Sequence, residues 1–219
     1  MSLEKLFEGV FSVDGKLATV NFVPGTKVYG EELVSVKGTE YRIWNPYRSK
    51  LAAAILKGLK EFHISPGSAV LYLGAATGTT CSHVSDIVGK EGAVYCIDIA
   101  ERSLRELIKV CEKRTNMLPI LHDALDPDFY KNDTGKTDVL YQDVSSRMQA
   151  EILLRNSQLL KKGGYAYVAI KSQSIDSSKR PRQVYDAFIE SVSEKFEVLE
   201  TIDIAPYSLL HLFAVMKKI

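Results

Sequence analysis

The chain has 219 residues, 46% of them hydrophobic, and 28 lysines and arginines stand against 27 aspartates and glutamates. That length and apolar content suit one substantial α/β domain with room for a small appendage. A formal net charge of +1 is low for a protein that grips a phosphate backbone unaided, and no apolar run is long enough to span a bilayer.

The first residues, Met1 to Glu8, carry charges of both signs and no signal-peptide core. Val10 to Val23 is two short alternating runs around Asp14-Gly15, a hairpin signal. Tyr29 to Tyr41 adds strand-like pieces around Lys37-Gly38. Residues 1–45 are therefore expected to form a small β appendage, and residues 46–219 the main domain. From Ser49 to Phe62 the apolar spacing is helical, and Ser65-Pro66-Gly67 then punctuates the chain.

Short apolar runs alternate with amphipathic stretches after that. The runs are Ala69–Leu73, Ala93–Ile97, Met117–Leu121, Val139–Tyr141 and Tyr165–Ile170. Helical spacing fills Cys81–Val88, Leu104–Lys113 and Gln149–Leu160, with Lys162-Gly163-Gly164 read as a helix stop. Phe196–Ile204 and His211–Met216 are separated by only six residues, so they are expected to pair antiparallel. Three cysteines, Cys81, Cys96 and Cys111, stand far apart and read as buried free thiols in a reducing cytoplasm. The four histidines lack metal-ligand spacing, and no metal is expected.

The segment Val70 to Thr80 carries the most chemistry. Four apolar residues run into a glycine-containing bend and then a helix start, the usual ligand position in an open α/β sheet. Gly74 lets the turn bend, Gly78 is expected to let a ligand reach backbone, and Thr79 and Thr80 offer hydroxyls and amides. The dinucleotide pattern fails, because Ala76 and Thr79 occupy its second and third glycine positions. The G-x-A-x-G form is the one found in Rossmann-like methyltransferases that use S-adenosylmethionine. Five parallel strands closed by an antiparallel hairpin, a seven-stranded mixed sheet, is the class I architecture of those enzymes.

In such sheets ligands lie across the carboxyl ends of the strands. Asp98 follows the second strand and suits ribose hydroxyls. Asp123 and Ala124 follow the third and suit an adenine amino group over a shallow pocket. Asp143 follows the fourth strand and Lys171 the fifth. Lys171 reads either as a lysine snorkelling from a strand end or as a group beside Asp143 where a methyl is transferred. In the second case it acts as a cation stabilising an alkoxide or as a base of lowered pKa.

The chain resembles the fibrillarin family in its archaeal form over nearly its whole length. The resemblance rests on Glu40-Tyr-Arg-Ile-Trp-Asn-Pro-Tyr-Arg-Ser-Lys-Leu-Ala-Ala-Ala-Ile55, the Val70–Thr80 segment, Ser82-His-Val-Ser-Asp-Ile-Val-Gly89, Lys113-Arg-Thr-Asn116 and Ile170-Lys-Ser-Gln-Ser-Ile-Asp176. It implies guide-directed 2′-O-methylation of ribosomal RNA, and in archaea of transfer RNA, with S-adenosylmethionine. It also implies a C/D-box guide RNA, a Nop-class coiled-coil scaffold and a kink-turn-binding protein of ribosomal type as partners. By resemblance the cofactor residues fall on Thr79, Thr80, Asp98, Ile99, Asp123, Ala124 and the turn Asp143, Val144, Ser145, Ser146. The catalytic group falls on Lys50, Asp143, Lys171 and His211.

The chain departs from the family pattern at Asp98, where glutamate is usual, and in Asp143-Val-Ser-Ser146, which replaces Asp-Val/Ile-Ala-Gln. Leu210 stands where an aspartate usually precedes the histidine. Basic residues cluster at Arg42, Arg48 and Lys50 and at Lys179-Arg180-Pro181-Arg182, placed to steer a duplex without selecting a nucleotide. Two other readings remain open from the residues alone: a stand-alone methyltransferase for a small molecule or protein, and a non-catalytic scaffold subunit.

Overall fold

The computed structural model describes residues 2–219. Its N-terminal strands are β1 (Leu3–Phe7), β2 (Val10–Val13), β3 (Lys16–Val20), β4 (Leu33–Val36) and β5 (Thr39–Ile43), and they form an antiparallel sheet in the order β1-β2-β3-β5-β4. Asp14 and Gly15 have φ of 47° and 80°, and Lys37 and Gly38 have φ of 51° and 84°. Both central residues left-handed is the hairpin turn whose twist matches its strands. The edge strand β1 has no alternating pattern and is largely exposed, so the sequence carries no signal for it.

The chain continues as α1 (Lys50–Leu56), β6 (Ala69–Leu73), α2 (Thr79–Val88), β7 (Ala93–Asp98), α3 (Glu101–Cys111), β8 (Met117–Leu121), α4 (Lys131–Thr134), β9 (Thr137–Gln142), α5 (Gln149–Asn156), β10 (Leu160–Lys171), α6 (Ser172–Ile175), α7 (Pro181–Val192), β11 (Phe196–Asp203) and β12 (His211–Lys218). The seven-stranded sheet has the order β11-β12-β10-β9-β6-β7-β8, with β12 antiparallel to both of its neighbours. The mixed sheet and the closing hairpin are as the sequence indicated. On one face α1, α2 and α3 cover a core that includes Leu51, Val84 and Leu107. On the other, α5 and α7 cover Leu71, Leu140 and Val168. Tyr72, Tyr141 and Tyr167 sit side by side in register on β6, β9 and β10, with Tyr72 and Tyr141 stacked at 4.4 Å.

Two boundaries differ from expectation. The helix begun at Ser49 stops at Leu56, because Gly58 takes φ 96° and the amides of Gly58 and Leu59 turn back onto the carbonyls of Ile55 and Ala54. Those paired bonds are the glycine-dependent end of a helix. Lys162-Gly163-Gly164 is no helix stop. It lies inside β10, where the register against β9 shifts between Leu160 and Tyr165. A Cβ on Gly164 would stand 2.9 Å from the Asp138 carbonyl oxygen, so glycine serves close strand approach there. Cys81 and Cys96 are buried as expected, whereas Cys111 is only partly so. Among the described residues no helix is long and apolar enough to cross a membrane, and no group of His, Cys, Asp and Glu could hold a metal ion.

Candidate active site at the strand ends

The carboxyl ends of β6, β7, β8, β9 and β10 converge on a cleft of about 520 Å³. Of the expected cofactor residues, Gly74, Ala76, Asp98, Ile99, Asp123, Ala124, Asp143, Val144, Ser145 and Ser146 line it. Lys50 and Lys171 line it as well. The cleft also takes in His122, Leu125, Ile97 and Ile152, which the sequence reading did not single out. His122 was within reach of the same logic, since it follows the same strand as Asp123.

The glycine turn works differently from expectation at three positions. Gly78 does not line the cleft. A Cβ there would meet Leu107 Cδ1 at 2.9 Å, so this glycine admits α3 and not a ligand. Thr79 and Thr80 are also absent from the wall. Thr80 is buried, and its hydroxyl donates to Ser49 Oγ at 3.0 Å. Ser49 in turn caps α1, whose first residue is Lys50. Thr80 thus supports Lys50 from behind. Gly74 keeps its place, because a Cβ would lie 2.8 Å from the Asp143 carbonyl oxygen. Its absence lets the Asp143 backbone pass over the turn.

Ala76 is the residue at the tip, with φ 48°, a left-handed backbone costly for a side chain with Cβ. Its N–H donates to Asp98 Oδ2 at 2.6 Å, and Ala100 N–H donates to Asp98 Oδ1 at 2.8 Å. Asp98 therefore holds the turn in shape. Each carboxylate oxygen retains a further lone pair, and Asp98 lines the cleft. Asp123 Oδ1 accepts from Leu125 N–H at 2.9 Å, which fixes the loop beside Ala124.

Asp143 lies between two lysines. Lys50 Nζ is 2.8 Å from Oδ1 and 2.9 Å from Oδ2, and Lys171 Nζ is 2.7 Å from Oδ1. The Oδ1 contacts are ionic and lie off the hydrogen-bond directions. Lys171 Nζ also donates to the Asp143 carbonyl at 2.8 Å and to Ser145 Oγ at 3.1 Å. Lys171 is only 8% exposed. Burial pushes its pKa below the ordinary lysine value, against the pull of Asp143, and the Lys50 ammonium pushes the same way as burial.

His211 pairs in register with Lys171 across β10 and β12. It does not line the cleft. Its Nδ1 is 2.7 Å from the Leu209 carbonyl and 2.9 Å from Ser208 Oγ. A carbonyl only accepts, so Nδ1 carries the proton and Nε2 is left as an acceptor. Burial, with the Lys50 charge second, holds its pKa below the ordinary histidine value, which favours the neutral ring at pH 7. The loop before it turns on Leu210, φ 60°, whose carbonyl accepts from the Ser172 amide and hydroxyl.

Comparison with known proteins gives the same picture. The fibrillarin family model matches residues 1–219. The chain belongs to the fibrillarin family. It is similar to the fibrillarin-like rRNA/tRNA 2′-O-methyltransferase of Pyrococcus furiosus, 51% identical over 97% of this chain and 96% of that one. It is similar also to the crystal structure of Aeropyrum pernix fibrillarin with natively bound S-adenosyl-L-methionine, at TM-score 0.91 and 41% identity, covering 99% of this chain and 98% of that one. A fibrillarin/Nop5p complex contains a further similar chain, at TM-score 0.90 and 34% identity, covering 99% and 100%.

Several of the segments that carry the fibrillarin resemblance do not reach the cleft. Arg42 is fully buried, bound to Glu31 at 2.6 Å and to Asp86 at 2.7 Å. Arg114 takes the other oxygen of Asp86 at 2.7 Å. Thr19 and the Phe22 amide donate to Asp86 as well. His83 donates from Nδ1 to Thr19 Oγ1, whose own proton goes to Asp86, and accepts from Tyr29 Oη at Nε2. Two arginines balance two carboxylates, and the set joins the N-terminal sheet to α2. Arg42 is therefore unavailable for steering RNA. Lys50 is committed to Asp143, while Arg48 is exposed, with its guanidinium over the Tyr29 ring at 5.8 Å.

Proposed function

We infer that this chain is an S-adenosylmethionine-dependent 2′-O-methyltransferase acting on ribosomal and transfer RNA. The observation that carries the reading is Asp143 held between Lys50 and Lys171 on the wall of the strand-end cleft. The cleft suits the cofactor. Its volume of about 520 Å³ is in the range of small-molecule sites. Asp98 offers acceptors for ribose hydroxyls, Asp123 for an adenine amino group, and Ile97, Ala124 and Ile152 an apolar wall. When bound, S-adenosylmethionine supplies an electrophilic methyl group.

The residues do the rest. A 2′-hydroxyl attacks well only as it loses its proton. Lys50, Asp143 and Lys171 carry charges of plus, minus and plus when both lysines are protonated. Loss of one proton from the more buried Lys171 leaves a neutral Lys50–Asp143 pair, which is why Lys171 and not Lys50 is the base. Lys171 Nζ takes the hydroxyl proton as the oxygen becomes nucleophilic. The ammonium so formed is stabilised beside Asp143. His211 sets the β12 side of Lys171 as a neutral ring.

For partners, the likeness to a chain in a fibrillarin/Nop5p complex supports a Nop-class scaffold. We extend the assembly to a C/D-box guide RNA and a kink-turn-binding protein, and place it in the cytoplasm, where three unpaired thiols are stable. A hydrolysis ladder tests the chemistry, because base cleaves RNA only through a free 2′-hydroxyl. The assembled enzyme with labelled cofactor should leave one gap in the ladder of its target RNA. Label on a base, or on protein, would refute the reading.

A further inference from the structure

The parallel ladder between β9 and β10 ends at the pair Gln142 and Val168. The groups that matter lie beyond it, Asp143 one residue past the end of one strand and Lys171 three residues along the other. Nothing in the ladder fixes their separation. Gln149, the first residue of α5, fills that gap. It is fully buried and does not line the cleft. Its Oε1 accepts the Lys171 backbone N–H at 3.2 Å, and its Nε2 donates to the Val144 carbonyl at 2.5 Å. Its own carbonyl accepts from Gln142 Nε2 at 2.9 Å. One planar amide thus acts as a missing rung between the residue after Asp143 and the backbone of Lys171.

We propose that Gln149 is the positioning residue that sets the Asp143–Lys171 contact, resting on the reading of those two as the proton-handling pair. The chemistry needs a donor and an acceptor on one rigid group. Glutamate when ionised has acceptors only and would face the Val144 carbonyl with like charge. Methionine fills the space and offers neither. Misplacement of a reacting pair by about 1 Å costs on the order of a hundredfold in rate, with ground-state binding untouched.

The test is a double-mutant cycle in the assembled enzyme. Gln149→Met and Gln149→Glu are made with Lys171 present and with Lys171→Ala. Single-turnover rates are read against pH, and cofactor affinity by calorimetry, which also certifies the fold. Gln149→Met should slow transfer by about 10- to 100-fold with cofactor affinity within threefold, and should add nothing to Lys171→Ala. Gln149→Glu brings a carboxylate toward Lys171, so its pH–rate limb should move to higher pH, which Gln149→Met does not do. The same slowing in both backgrounds, or cofactor affinity falling as steeply as rate, would make Gln149 merely structural and overturn the proposal. An inactive Lys171→Ala with an unimpaired Gln149→Met would overturn it alone. Normal turnover by Lys171→Ala would overturn the reading of the pair, and this proposal with it.

Discussion

At Lys171, burial and a neighbouring ammonium act against one carboxylate, and burial is the largest influence. A base of that kind should cost about 10²- to 10⁴-fold when removed. Lys171→Ala is therefore expected to lose single-turnover methyl transfer while cofactor affinity stays within about twofold, since the group acts only in the transition state. The rate of the intact enzyme should climb with pH, because the deprotonated lysine is the active form. That limb should lie below the ordinary lysine value of 10.5, and Asp143→Asn, which removes the charge that raises the pKa, should move it lower. A near-normal rate for Lys171→Ala would return the residue to a snorkelling strand-end lysine. Asp98 makes a second test. It is expected to hold both a ribose and the left-handed Ala76 turn, so Asp98→Ala should weaken cofactor binding by roughly 1–3 kcal/mol. Calorimetry showing undiminished affinity would remove Asp98 from the site.

At the scale of elements, strands were the legible part. Ala69–Leu73 and Met117–Leu121 are continuous apolar runs, and burial on both sheet faces demands that pattern. Asp14-Gly15 announced its hairpin through the backbone that glycine permits. Strand-end polar residues were legible because the sheet topology fixes where ligands lie. Gly78 packs against Leu107, which arrives from α3 about 30 residues away in the chain, and a glycine's neighbour cannot be known from sequence; Thr79 and Thr80 stand off the cleft wall. Arg42 looked like a surface cation because its partners Glu31 and Asp86 are distant in sequence. The same buried set gives a pH prediction. His83 is enclosed, and burial holds its pKa well below the ordinary histidine value of 6.5. The unfolded chain then binds the proton more readily than the folded one, so stability rises with pH up to about that value and is lost as pH falls beneath it. Thermal midpoints measured through this window should climb with pH and flatten above it, and the slope should shrink in His83→Gln. An unchanged slope would place the acid sensitivity elsewhere, with His211 the next candidate because its pKa is lowered too.

For the molecule as a whole, charge sets the dependence on partners. The net charge is +1, and Arg42, Arg114, Lys50 and Lys171 are taken up by internal ion pairs. Arg48, Lys179, Arg180 and Arg182 remain exposed as a thin electrostatic footprint. Nothing among the described residues forms a base-reading module, so selection is assigned to guide–target pairing. The isolated chain should bind RNA weakly and lose that binding steeply as salt rises. The most direct test is methyl transfer from labelled cofactor to a guide-complementary RNA, by the chain alone and with guide RNA, Nop-class scaffold and kink-turn protein added. The expected result is feeble transfer by the chain alone and one modified ribose, at the guided position, in the full assembly. Efficient and selective methylation of a single ribose by the purified chain, or an assembly indifferent to the guide's sequence, would contradict it.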